Sequence, residues 1–235
     1  MQKFQVYGVA LGPGDPELIT LKSLRILQEV DKIYAPGSIS RKGECKSHSI
    51  SIMKQLDIDV DKIEVFHISM RFDREETENL YQSVYEKIQK DIEKGLSIAF
   101  VSEGDISFYS TFGYLIPRLK ADQISYKMLP GVPAFIQAGS SLGIPLTSQS
   151  NSLKVLAAVS SVTELDEALE NSNTIVIMKF STIKSVLIPH IIDNYSDLKV
   201  YYVEKLGTEE EFVTDNLEII DKRTKTYFSI LIIQK

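Results

Sequence analysis

Three short loops rich in glycine, proline and aspartate constrain this chain more than any other feature. They are Gly12-Pro13-Gly14-Asp15-Pro16 after the apolar run 4–11, Ser102-Glu103-Gly104-Asp105 after 97–101, and Pro130-Gly131-Val132-Pro133-Ala134 after 126–129. A short apolar run bounded by turn residues reads as a strand buried on both faces, which is the strand type of parallel sheets. Parallel neighbours need a crossover, and ligands of such sheets sit beyond the carboxyl ends of the strands. One such loop is ordinary turn chemistry. Three of them, from three strands of one sheet, converge on one edge.

The rest of the chain keeps this alternation. Strand patterns at 33–35 and 62–67 and helical patterns at 18–30, 49–56, 73–94, 108–119 and from Pro133 to near Gly143 complete a first series. The clearest helix is 73–94, where Leu80, Val84, Ile88 and Ile92 recur four apart and Gly95 stands as a C-cap. The segment from Gly143 through Ser152 breaks the pattern and predicts a domain boundary, giving domains 1–145 and 146–235. A second series follows, with strands at 153–159, 174–178 and 199–204, helices at 165–169 and 183–194, a hairpin through 212–220 and a closing strand at 227–233. Pro189 is expected to kink or shorten its helix. The predicted fold class is α/β, with two α/β domains built on mostly parallel sheets.

Composition narrows the function classes. With 235 residues, 43% of them apolar and 25% charged, the chain is long enough for a sizeable core and matches ordinary globular usage. Its apolar runs fall far short of the roughly 20 residues that span a bilayer, so no membrane partner is expected. Cys45 is the one cysteine and cannot form an internal disulfide, and no secretory h-region opens the sequence, which together predict a cytoplasmic protein. The formal net charge is −6 and the basic residues are scattered, which argues against nucleic acid as a partner. A polyanionic ligand would need a few converging cations.

The first loop matches neither familiar phosphate-binding version, because it lacks a Gly-Lys-Ser/Thr ending and the Gly-x-Gly-x-x-Gly spacing. The wording of all three loops does match a family. Residues 8–22, residues 102–110 with Ser107-Phe108-Tyr109-Ser110, and Leu129-Pro130-Gly131-Val132-Pro133-Ala134-Phe135 resemble the tetrapyrrole methylases, class III S-adenosylmethionine-dependent methyltransferases. Gly143-Ile144-Pro145-Leu146 and Glu204-Lys205-Leu206-Gly207-Thr208 extend the resemblance along nearly the whole chain. Glu103-Gly104-Asp105 and Val176-Ile177-Met178-Lys179 are most similar to the branch that methylates carbon 20 of precorrin-2 or cobalt-factor II.

The resemblance implies two α/β domains with cofactor and substrate in the trough between them, S-adenosylmethionine as cofactor, S-adenosylhomocysteine as product, and a homodimer. It places cofactor contacts at Pro13, Glu103, Gly104, Asp105, Phe108, Pro133, Ala134, Met178 or Lys179, Gly207 and Thr208. The residue after Gly104-Asp105 is commonly proline in the family; here it is Ile106, so the loop loses a fixed φ and gains an N–H. Arg41, Lys42 and Arg71 lie in loops after first-domain strands and, with Lys179, are candidates for meeting the substrate's carboxylates. No residue stands out as a catalytic base, and none is assigned. Cys45 and His48 are three apart without further soft ligands nearby, which falls short of a metal site, so no protein-held metal is expected. The run Glu209-Glu210-Glu211 reads as a solvated loop, and His67 and His190 as structural histidines. Within the resemblance three readings stay open beside carbon-20 methylation. They are another carbon or substrate, such as uroporphyrinogen III, precorrin-4 or a diphthine precursor; ribosomal RNA; and a tetrapyrrole-binding carrier without transfer activity.

Overall fold

The computed structural model describes residues 4–39, 45–68, 74–224 and 226–235. It divides into two units, Met1–Pro133 and Ala134–Lys235. The division falls before the helix that follows Pro133, ahead of the break at 145 expected from loop composition.

The first unit holds β1 (Val6–Ala10), α1 (Leu21–Glu29), β2 (Lys32–Ile39), β3 (Cys45–Lys46), α2 (His48–Gln55), β4 (Ile63–Ile68), α3 (Arg74–Glu93), β5 (Ile98–Ser102), α4 (Ile116–Ala121) and β6 (Tyr126–Leu129). Strands β2, β5, β1 and β6 lie side by side in that order and parallel, with β4 parallel to β2. Among the described residues the two-residue β3 is the one strand of this sheet that runs antiparallel, against Ser38 and Ile39. Alternation along the strands fills both faces, as a parallel sheet requires. Val6, Ala10, Tyr34, Ile98 and Phe100 pack with Tyr81, Val84 and Ile88 of α3, whereas Tyr7, Val9, Ile33, Ala99 and Val101 pack with Ile26 and Leu27 of α1 and Met53 of α2. Helix α3 ends as its sequence predicts: Gly95 has φ +82°, and the Leu96 N–H donates to the Asp91 carbonyl at 3.1 Å.

The second unit holds α5 (Ala134–Leu142), β7 (Leu153–Leu156), α6 (Val162–Asn171), β8 (Thr174–Met178), α7 (Lys184–Asn194), β9 (Lys199–Glu204), β10 (Phe212–Thr214), α8 (Leu217–Lys222) and β11 (Ser229–Gln234). Its sheet order is β10-β9-β11-β8-β7. Here β7 and β8 are parallel, while β11 enters between β8 and β9 antiparallel to both, so this sheet is mixed. The expected hairpin through 212–220 is half right. Residues 212–214 pair back on β9, but Asn216 caps the Ile219 N–H and turns the following residues into α8, which buries Ile220. Helix α7 runs through Pro189 for 11 residues, so the proline does not shorten it. A helix-interior proline costs about 3 kcal/mol, and burying Leu187, Ile188 and Ile191 at roughly 1.5–3 kcal/mol each outweighs it.

The helix expected over 108–119 is shorter. A 3-10 turn at Thr111–Tyr114 and α4 replace it, because the chain between Asp105 and Ser110 is spent on side-chain-stabilised turns. Among the described residues no helix is long and apolar enough to cross a membrane.

Candidate active site

Because β5, β1 and β6 are parallel neighbours, the three loops emerge from one edge of the first sheet. They are stitched to each other through backbone. Gly12 and Gly104 exchange hydrogen bonds, Gly12 N–H to the Gly104 carbonyl at 3.2 Å and Gly104 N–H to the Gly12 carbonyl at 2.7 Å. Both glycines are left-handed, with φ +81° and +71°, a conformation that costs an L side chain energy. The Asp105 carboxylate, 7% exposed, joins the second loop to the third: Oδ2 accepts from the Gly131 N–H at 2.7 Å, and Oδ1 accepts from the Ser107 N–H and hydroxyl. Burial is the largest influence on its pKa and raises it. The hydrogen bonds from the Ser107 hydroxyl, Gly131 N–H and Ser107 N–H together outweigh burial and hold it below the usual carboxylate range.

Gly131 sits where a Cβ would lie 2.5 Å from the Ala10 Cβ and 2.7 Å from the Gly104 carbonyl oxygen. Gly131→Ala is therefore expected to destabilise the chain by about 1–3 kcal/mol or more, since backbone must move to admit the methyl. Urea unfolding reads this directly, and an unchanged midpoint would contradict the close approach.

The second unit presents a comparable edge. Strands β8 and β9 both run against β11, so Met178 and Glu204 finish at the same edge, beside the Ser229–Ile230 start of β11. Lys179 follows β8 with φ +52°, and its ammonium lies 5.7 Å from the Tyr227 ring centre. After β9 the chain makes a tight turn: Lys205 and Gly207 are left-handed, the Gly207 N–H donates to Glu211 Oε2 at 2.7 Å, and the Thr208 hydroxyl donates to the Lys205 carbonyl at 2.7 Å. Glu210 pairs with the Lys205 ammonium at 2.5 Å. Glu210 and Glu211 of the glutamate run thus brace this turn, where the sequence suggested only solvation. Glu204 itself is buried. It accepts from Arg223 on Oε1 and from the Tyr202 hydroxyl on Oε2 at 2.6 Å, while Arg223 stacks 3.5 Å from the Phe212 ring centre. Burial, the largest influence, raises the Glu204 pKa, and the bonds from Arg223 and Tyr202 bring it below the usual range.

Residues 5–220 match the family model of the tetrapyrrole (corrin/porphyrin) methylases. The chain belongs to that family. A probable cobalt-precorrin-2 C(20)-methyltransferase of Methanocaldococcus jannaschii is 31% identical over 98% of this chain and 96% of its own length. The cobalt-precorrin-2 C(20)-methyltransferase of Salmonella typhimurium is 27% identical with the same coverage of each. Among solved structures, a cobalt precorrin-4 methyltransferase superposes with a TM-score of 0.70 at 18% identity, covering 97% of this chain and 94% of its own. The uroporphyrin-III C-methyltransferase of Thermus thermophilus complexed with S-adenosylhomocysteine gives 0.65 at 18% identity, covering 98% and 97%.

In this tetrapyrrole methylase the first edge gathers Pro13, Glu103, Gly104, Asp105, Phe108 and Pro133, and the second gathers Met178, Lys179, Gly207 and Thr208. Ala134 opens α5. Glu103 is turned to a structural task, because its Oε1 accepts from the N–H and hydroxyl of Ser49 at 3.1 and 2.8 Å, tying α2 to the end of β5. Ile106, in place of the usual proline, is 2% exposed and packs with Phe100, Phe112 and Leu115, so its side chain serves the core. Arg41, Lys42 and Arg71 lie outside the described residues. The sequence reading missed Ser49, Ser107, Tyr202 and Arg223 as supports of these loops. Only Ser107 carried a local signal, as a hydroxyl two residues past an aspartate. Among the described residues no group of His, Cys, Asp and Glu side chains is arranged to hold a metal.

Proposed function

We propose that this tetrapyrrole methylase transfers a methyl group to carbon 20 of precorrin-2 or of its cobalt-containing counterpart. The observation that carries this reading is near-full-length similarity to two proteins named for that reaction. When bound, S-adenosylmethionine supplies a methyl activated on a cationic sulfonium, leaving S-adenosylhomocysteine as the product.

The first edge fits such a cofactor by its donor set. Gly12, Gly104 and Gly131 leave a strip of side-chain-free backbone there, and both Asp105 oxygens are occupied by the protein's own donors. A ligand would therefore meet the peptide carbonyls of Pro13, Glu103, Gly104 and Pro133, with Phe108 offering a ring beside them and Ala134 starting the next helix. Met178, Lys179, Gly207 and Thr208 are proposed as further cofactor contacts on the second unit. These groups act by holding the reactants in alignment and excluding water, which suits a transfer whose electrophile arrives already activated. Arg41, Lys42, Arg71 and Lys179 are proposed to anchor the substrate's carboxylates, and a homodimer is the proposed assembly.

The test is mass spectrometry after incubation with S-adenosylmethionine and either metal-free or cobalt-loaded precorrin-2. A gain of one methyl located at carbon 20 by isotope-labelled NMR is expected; no gain, or methylation elsewhere, overturns the reading. Asp105→Ala should weaken S-adenosylhomocysteine binding by about 1–3 kcal/mol in calorimetry, because the Gly131 N–H loses its acceptor and the second and third loops come apart. Unchanged affinity would separate the Asp105 carboxylate from cofactor binding.

A further inference from the structure

Among the described residues six non-glycines have left-handed backbone: Asp57, Tyr109, Gln123, Gln149, Lys179 and Lys205. Asp57 and Gln123 are explained by helix endings, since the Ile58 N–H donates to the Met53 carbonyl and the Ile124 N–H to the Leu119 carbonyl as α2 and α4 close. Tyr109 follows no helix. It is the one aromatic of the six, has φ +51°, is 54% exposed, and stands four residues beyond Asp105 at the candidate site.

The backbone has its own reason to reverse there. Just past the reversal the Ser110 hydroxyl accepts from the Phe112 N–H at 3.2 Å, and Phe112 becomes fully buried over Gly8, where a Cβ would lie 2.8 Å from its ring. Glycine would meet that demand without strain; a tyrosine ring adds strain and, half exposed, little core burial. The ring is nonetheless positioned, because Phe108 packs edge-on against it with centroids 4.6 Å apart at 65°. An exposed, positioned ring held on strained backbone beside the candidate site suits the recognition of a flat ligand.

We propose that Tyr109 is a substrate-recognition residue whose ring stacks on the conjugated macrocycle, an inference that rests on the tetrapyrrole reading above. The full-length enzyme is tested as wild type, Tyr109→Gly and Tyr109→Phe, with metal-free and cobalt-loaded precorrin-2. Readouts are KM and kcat, S-adenosylhomocysteine affinity by calorimetry, and Tm. Tyr109→Gly is expected to raise KM about tenfold, the effect of one lost stacking contact, with Tm equal or higher and product affinity unchanged. Tyr109→Phe is expected to keep KM within about twofold, because the ring face remains. A glycine variant with wild-type KM overturns the inference. So does one whose Tm and S-adenosylhomocysteine affinity fall together, since Tyr109 would then be holding the loop. A wild-type enzyme that leaves both tetrapyrroles unmethylated overturns the proposed function instead.

Discussion

Glu204→Ala is expected to remove about 3 kcal/mol of stability, the lower end of the cost of breaking a buried ion pair from one side, because the Arg223 left behind is 32% exposed. The Glu204 side chain is 4% exposed, and its loss leaves the Arg223 guanidinium and the Tyr202 hydroxyl without their acceptor. Folded domains hold about 5–15 kcal/mol in total, so this single change consumes a large part of that. Urea unfolding of the purified variant measures it. Replacing the pair together, Glu204→Leu with Arg223→Met, should cost less than Glu204→Ala alone, because no unpaired charge is then left at the site. If the double variant is the worse of the two, packing rather than charge pairing explains the site.

A loss of about 1–3 kcal/mol is expected for Asp91→Ala in the first unit, because the buried Tyr34 hydroxyl loses its acceptor while Lys32 keeps Glu64. Asp91 is buried, accepts from the Tyr34 hydroxyl at 2.8 Å, and pairs with Lys32 at 2.7 Å and Lys94 at 2.9 Å. Lys94 is largely exposed and adds little; Lys32, which also pairs with Glu64, carries the interaction. Burial is the largest influence on Asp91 and raises its pKa, but Lys32, Lys94 and Tyr34 overcome it and bring the value from 3.8 down to about 2. The folded state therefore releases this proton more readily than the unfolded chain. The resulting stability is fully present above about pH 4 and is lost as the pH falls from there towards 2. Denaturant midpoints across this window should fall steeply in wild type and more shallowly in Asp91→Asn. Parallel slopes would assign acid sensitivity to other carboxylates.

The legibility of this protein differs by element. The strands beneath the three loops were readable because a strand buried on both faces has no polar face to blur its apolar run, and α3 because a four-residue apolar repeat over 20 residues admits one helix face. β3 and α8 were not, since two and six residues are too short for a period to declare itself. The mixed second sheet was equally hidden: β11 is as apolar as a parallel strand, and nothing local says which neighbour it will oppose.

The loop wording carried the family and marked three loops that share one sheet edge, because glycines at 12, 104 and 131 and aspartate at 105 are needed for close backbone approach wherever that approach occurs. Their partners were another matter. That Asp105 would reach Gly131, that Glu103 would turn to Ser49, and that Arg223 would close on Glu204 are pairings across 26, 54 and 19 residues of chain. Local sequence fixes which groups need a hydrogen-bond partner. Only the packed sheets bring a given partner within 3 Å, because that distance is set by strand order and register, which depend on the whole core at once.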